Sequence, residues 1–164
     1  RTLRRISDEL PLVIPLHPRT RVRIDENDLA DLLDTPRIVV TPPLGYLEML
    51  GLTAQARVII TDSGGLQEES TALGVPCLTI RESTERPITA EQGTNTVVGV
   101  EPARIMTAFN QTMRDGGKRG RVPELWDGHA AERIAIVLDA WLAERNAEPV
   151  QHPEQSTHVV SAFQ

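Results

Sequence analysis

Five short runs of aliphatic residues punctuate the chain: residues 12–16 (LVIPL), 37–41 (RIVVT), 57–61 (RVIIT), 77–80 (CLTI) and 96–100 (TVVGV). Their apolar positions are continuous rather than alternating, which predicts strands covered on both faces, as in a parallel sheet. Between them lie stretches with helical spacing at residues 25–33, 44–55, 66–73 and, with a weaker pattern, 85–92. Strand and helix alternate, so the expected fold is α/β: a Rossmann-like parallel sheet with flanking helices.

The pattern also speaks about the two ends. Leu3, Ile6 and Leu10 already keep helical register before Pro11, and the first residue is Arg rather than Met. A domain rarely starts partway along a helix, so the expectation is a piece of a longer polypeptide. After the last strand, residues 101–115 (EPARIMTAFNQTMRD) read as a helix with Pro102 in its first turn and Gly116-Gly117 ending it. Residues 118–128 read as a loop. A further helix over 129–145 places Ile134, Val137, Leu138, Trp141 and Leu142 on its apolar side. Residues 146–164 lack periodicity and are expected to form a flexible tail, leaving one domain over 1–145.

Composition narrows the function classes. A length of 164 residues, 40% of them hydrophobic and 24% charged, suits one globular domain. A net charge of -6 and 3% aromatics advertise neither a phosphate-tracking surface nor a base-stacking platform, so nucleic acid is not an expected partner. No apolar run approaches the roughly 20 residues that span a bilayer, and the start lacks a leader-like apolar stretch. No membrane partner is expected, and the location read from this is cytoplasmic. The single cysteine, Cys77, excludes an internal disulfide framework; inside VPCLTI it reads as a small buried residue.

The candidate chemistry sits after the third strand, in TDSGGLQEE (residues 61–69). Ligands of open parallel sheets gather beyond the carboxyl ends of the strands. There Gly64 and Gly65 would let the backbone turn tightly and come close to a ligand. The free N–H groups opening the next helix favour an anion, and the Ser63 hydroxyl can add a donor. The fit is to a phosphate or diphosphate. Glu69, about one turn into the helix, suits a ribose or sugar diol. Glu68, about 100° around the helix from it, reads as solvent-facing. The alternative for both acids is simple compensation of the helix dipole. The glycine spacing matches neither the P-loop nor the dinucleotide fingerprint. Downstream, TERP brings Arg86 to the same sheet edge, where it could clamp a diphosphate from the other side; the alternative is a surface arginine paired with Glu82 or Glu85. Arg81 is more ambiguous.

Together, TDSGGLQEE and TERP, with PLHPRTR before them and WDGHAAERI after, closely resemble the C-terminal domain of the non-hydrolysing UDP-N-acetylglucosamine 2-epimerases. The resemblance implies a two-domain fold of the glycosyltransferase-B type, with the nucleotide in the cleft between two Rossmann-like domains. It implies that Ser63, Gly64 and Gly65 bind the diphosphate, that Glu69 holds the ribose diol, that Arg86 binds phosphate, and that Met49 meets the uracil through its main chain. The implied reaction converts UDP-N-acetylglucosamine to UDP-N-acetylmannosamine by eliminating UDP and adding it back, without metal or organic cofactor. The proton at C2 must leave and return, which needs acid and base groups. In the family these are N-terminal-domain carboxylates and the histidine of a His-Arg pair on the first strand of the C-terminal domain. No His-Arg pair occurs in this sequence. No catalytic residue is therefore expected in this chain, which would supply the UDP-binding half of a homodimeric enzyme and lack the domain's first strand. His17 matches a second, non-catalytic histidine position, where either local capping or a ligand-related role is open. His129 reads as a first-turn residue; His152 and His158 fall in the tail. The competing readings are a non-catalytic UDP-binding module and the nucleotide half of a glycosyltransferase of the same fold. The sugar, N-acetylglucosamine or an oxidised diacetamido derivative, is left open.

Overall fold

Proline and glycine positions decide where most helices start and stop. The computed structural model describes residues 1–147. They run α1 (Thr2–Glu9), β1 (Leu12–Pro15), α2 (Pro18–Glu26), a short 3-10 turn (Ala30–Leu32), β2 (Ile38–Thr41), α3 (Tyr46–Ala54), β3 (Ile59–Thr61), α4 (Gly64–Leu73), β4 (Cys77–Thr79), α5 (Pro87–Glu91), β5 (Asn95–Val97), α6 (Pro102–Asp115) and α7 (Ala130–Ala147). Pro102 opens α6, and Gly116 closes it in a left-handed conformation at φ 81°. One expected helix is corrected. The helix foreseen at 25–33 begins instead at Pro18 and is over by Glu26. His17 and Pro18 form a stronger start than the apolar spacing of 25–33, and Asp28, at φ 52°, leaves the helical path.

Two compact units divide the described chain, one from Arg1 to Glu124 and a second beginning at Leu125. In the first, all strand pairs are parallel, as foreseen. Leu12 stands opposite Ile38 in the β1–β2 pair, and Ile59 opposite Cys77 and Cys77 opposite Asn95 in the order β3–β4–β5. The five strands do not make one sheet, however: β1–β2 and β3–β4–β5 are separate. Between β1 and β3 runs a groove of about 500 Å³, lined by Leu12 and Ile14 on one side, Ile60 on the other, and Met49, Leu52 and Thr53 of α3. The Thr53 hydroxyl is buried there without a hydrogen-bond partner.

The continuous apolar runs are explained by burial on both faces of β3–β4–β5. Leu78 packs with Ile6 of α1 and Ile105, Met106 and Phe109 of α6, while its neighbour Cys77 packs with Ile59 and Val75 in a separate cluster. Burial pushes the Cys77 thiol above its usual range, against smaller opposing effects of hydrogen bonds with Ser70 and Thr79. The carboxyl ends of β3 and β4 are thus held firmly from both sides, and the loops after Thr61 and Thr79 inherit that position.

In the second unit, α7 carries Ile134, Val137, Leu138, Trp141 and Leu142 as foreseen, but all five remain about half exposed or more. Arg145 lies over the Trp141 ring at 4.7 Å from its centre. Residues 146 and 147 belong to α7; the rest of the foreseen tail, with His152 and His158, lies outside the described residues.

The start of α7 is fastened by Asp127, which accepts from the His129 amide at 3.1 Å and is gripped by the Arg133 guanidinium. Chiefly through the hydrogen bond from Arg133, the Asp127 carboxyl is lowered from 3.8 to about 2. A depressed folded-state pKa contributes stability that is present above the unfolded value and lost as pH falls through the folded one. The helix start is therefore expected to hold down to about pH 4 and loosen between about 4 and 2. An acid titration of Trp126 fluorescence checks this, with Asp127→Asn removing the transition in that window.

Candidate functional site

Thr61 ends β3, and its hydroxyl accepts from the Ser63 amide at 3.0 Å, turning the chain toward α4. Ser63 is the extended N-cap residue of α4, at φ -78° and ψ 128°, and its hydroxyl makes no capping bond. Gly64 and Gly65 are already helical, and neither has a positive φ. The expectation that they form a tight turn is thus corrected: their glycine character leaves room instead. A Cβ on Gly65 would come no nearer than 3.9 Å to another group, the Ser63 hydroxyl. The opening N–H groups of α4 have no intrahelical acceptor, and the helix dipole adds positive potential at that spot.

Arg86 reaches this spot from the other side. It is the N-cap residue of α5, ahead of Pro87, and its side chain crosses Gly64. A Cβ added there would lie 3.8 Å from Arg86 Cγ and Nε. The foreseen pairing of a glycine-led helix start with an arginine from the fourth-strand loop is therefore present in space. Its ion partner is neither Glu82 nor Glu85. Glu82 faces Arg104 at 3.6 Å and Glu85 faces Arg81 at 3.3 Å. Arg86 Nε instead stands 2.9 Å from Glu68 Oε1, both side chains 42% exposed, which corrects the solvent-facing reading of Glu68. That contact is out of line for a hydrogen bond, so Nε remains a buried donor without an acceptor. Such an ion pair, half in water, holds weakly, and an anion at Gly64 could replace it.

Glu69 follows on the same helix, partly buried, with no hydrogen bond or ion pair among the described residues. Met49 lines the apolar groove beside β1 and β3, as does Leu66 at the start of α4, and its amide donates to the Gly45 carbonyl at 2.9 Å. His17 lies exposed past the end of β1, where Nδ1 accepts from the Arg19 amide at 3.2 Å and caps α2. His129 Nδ1 meets Glu132 at 3.0 Å in the first turn of α7. Among the described residues, no three His, Cys, Asp or Glu side chains converge as metal ligands, and no helix is long and apolar enough to cross a membrane.

Sequence reasoning missed the polar residues beneath the site. Gln67 of α4 and Asn95 of β5, 1% and 0% exposed, are hydrogen-bonded to each other at 3.0 Å and reach Thr79, Thr84 and Thr89. The available signal was a threonine two residues before Arg86, a spacing at which a hydroxyl bonds the backbone.

The family model described as UDP-N-acetylglucosamine 2-epimerase matches residues 1–139. The UDP-N-acetylglucosamine 2-epimerase of Methanococcus maripaludis is 42% identical over 107 residues, covering 65% of this chain and 29% of that protein. The UDP-2,3-diacetamido-2,3-dideoxy-D-glucuronate 2-epimerase of Pseudomonas aeruginosa is 38% identical over 134 residues, 78% of this chain and 34% of that protein. The crystal structure of the Methanocaldococcus jannaschii UDP-GlcNAc 2-epimerase in complex with UDP-GlcNAc and UDP superposes with a TM-score of 0.70 at 40% identity, covering 78% of this chain and 35% of that one. The chain thus spans about a third of the length of these relatives, and its fold is that of one Rossmann-like part of their glycosyltransferase-B architecture. With the match spanning residues 1–139, which include α1, the Ser63–Gly65 helix start and Arg86, the chain belongs to the UDP-N-acetylglucosamine 2-epimerase family.

Proposed function

We propose that this chain is the UDP-binding half of an enzyme that interconverts UDP-N-acetylglucosamine and UDP-N-acetylmannosamine by elimination and re-addition of UDP. The observation that carries the reading is Arg86 lying across Gly64, at the unpaired start of α4 and beside a free Ser63 hydroxyl. A diphosphate seated there would accept from the first amides of α4 and from Ser63. It would also take the Arg86 guanidinium from Glu68, exchanging a half-exposed ion pair for a doubly charged anion. Glu69, with both oxygens unengaged, is the group for the ribose diol. Met49 is assigned to the uracil through its main chain.

In this reading no group of the site is left for the proton at C2 of the sugar: Ser63, Gly64, Gly65 and Arg86 hold charge and orient it, Glu69 is committed to the ribose diol, and Glu68 lies beside Arg86 on the diphosphate side. The acid and base are assigned to carboxylates of a second domain and to a histidine on a first strand of this one, and the β1–β3 groove to that strand, between the two parallel pairs. The same reading makes the whole enzyme a cytoplasmic homodimer that needs no metal or organic cofactor, because UDP is both leaving group and returning nucleophile. The sugar contacts belong to the second domain, so the choice between N-acetylglucosamine and a diacetamido sugar is made there.

The experiment is a titration of the 164-residue chain with UDP. Arg86→Ala is expected to weaken UDP binding by about 1.5–3 kcal/mol, the scale of a hydrogen bond to a charged group. Glu69→Ala is expected to weaken UDP more than 2′-deoxy-UDP. The chain alone is expected to show no epimerase turnover. Equal UDP affinity before and after removal of Arg86 would take the diphosphate away from this site.

A further inference from the structure

Resting on the diphosphate reading above, we propose that Thr84 is a positioning residue, anchored by Gln67 and Asn95, that sets Arg86 against the start of α4. Thr84 neither faces the anion nor carries charge; it acts on the main chain of the residue that does.

The bonding pattern permits one arrangement of protons. Thr84 has a single hydroxyl proton, which it donates to Gln67 Oε1 at 2.5 Å. Its oxygen is then free to accept the Arg86 amide at 2.9 Å. Thr89 donates its proton to the Arg86 carbonyl at 2.7 Å and accepts from Asn95 Nδ2 at 3.0 Å. The second Asn95 amide proton goes to Gln67 Oε1 at 3.0 Å, and Asn95 Oδ1 accepts from Thr79 at 2.6 Å. Both main-chain groups of Arg86 are thereby tied to a buried, internally consistent network.

The root of that network is α4 itself. Gln67 stands three residues beyond Gly64, so the helix whose N-terminus would meet the anion also holds the loop that brings the arginine over it. Among the described residues, only the half-exposed Glu68 contact and the Glu85 carbonyl at 3.2 Å direct the polar end of the Arg86 side chain. Fixing its backbone shortens the range its guanidinium can sweep, which lowers the ordering cost when the anion arrives.

The test is a double-mutant cycle on the full 164-residue chain, reading UDP affinity by phosphorus NMR titration and folding by circular dichroism melting. Thr84→Val is expected to weaken UDP binding roughly tenfold, the scale of one lost hydrogen bond in a bound state. Thr84→Ser, which keeps the hydroxyl, is expected to stay within about threefold of the unaltered chain. In the Arg86→Ala background, Thr84→Val is expected to cost nothing further, because the residue it positions is gone. Should Thr84→Val fold poorly, Thr84→Ala replaces it in the cycle. Unaltered affinity in the folded Thr84 variant overturns the proposal, as does a loss that persists undiminished without Arg86. A chain that ignores UDP, or ignores removal of Arg86, instead overturns the diphosphate reading, and this proposal with it.

Discussion

Replacing Phe109 with alanine is expected to lower the unfolding free energy of the Arg1–Glu124 unit by about 3–5 kcal/mol, the range for emptying a fully buried aromatic position. Phe109 is 0% exposed in the middle of α6, where it packs with Ile6, Leu78, Val98, Ile105 and Met106. It is the largest of the fully buried side chains, and its neighbours come from three directions, so they cannot collapse together into the space without moving a backbone. A loss of this size is a large part of the roughly 5–15 kcal/mol that holds a typical domain together. Because α1 reaches this cluster through Ile6, its amides are expected to exchange with solvent first. Urea unfolding should be followed by far-ultraviolet circular dichroism. Both tryptophans, Trp126 and Trp141, lie beyond Glu124, so their fluorescence reports the other unit. Val100→Ala, at a position 62% exposed, is expected to shift stability by less than about 0.5 kcal/mol.

The layer pattern around Phe109 was legible in the sequence because it rests on burial alone. In runs such as RVIIT and CLTI the apolar residues stand side by side rather than alternating, and the strands they form are covered on both faces by different clusters, Cys77 facing one and Leu78 the other. The ends of α6 were equally legible, since Pro102 and Gly116 act through their own backbone geometry. The region before β2 was not. Residues 25–33 carry helical apolar spacing, yet the competing start at His17-Pro18 lies outside that window and uses a hydrogen bond rather than a pattern. Nor could apolar spacing foresee that β1 and β3 stand apart, because each run reads the same whether its neighbour is present or missing.

At the site, residue types told most of the story and placed part of it wrongly. Ser63, Gly64, Gly65 and Arg86 do converge. The glycines, however, sit inside the first helical turn, because Ser63 with Thr61 makes the bend before them. Glu68 could not be assigned from helical angle alone, since its partner comes from a loop 18 residues later, fixed by long-range bonds. Those bonds involve threonine, glutamine and asparagine, which look like ordinary surface residues in a sequence. Only their burial beneath the Arg86 loop shows that they form a support.

The same support explains why Gly93→Ala is expected to be costly although it adds one methyl group. Gly93 lies between the end of α5 and β5, and an added Cβ would stand 2.3 Å from Thr71 Oγ1, 2.5 Å from Thr71 Cγ2 and 2.7 Å from the Thr89 carbonyl oxygen. Thr71 is 1% exposed and cannot swing into solvent, and the Thr89 oxygen is backbone. Retreat in the remaining direction is blocked as well. Gly120 presses so closely on Gly93 that its own missing Cβ would fall 2.2 Å from the Gly93 carbonyl carbon. The segment around it is pinned by the Arg121 amide on the Gln92 carbonyl at 2.8 Å and by Lys118 on the Ala90 carbonyl. Relief must therefore come from shifting α5, whose N-cap residue is Arg86. The expected result is a loss of about 3 kcal/mol in urea unfolding, at the upper end for overpacking, together with weaker UDP binding in the molecules that remain folded. Gly51→Ala is the control, because a Cβ there meets nothing within 4 Å on the exposed face of α3. It is expected to raise stability by about 0.5–1 kcal/mol, the helix preference of alanine over glycine, and to leave UDP affinity unchanged. If Gly93→Ala lowered stability but bound UDP as tightly as the unaltered chain, the mechanical link from Gly93 through α5 to Arg86 would be broken.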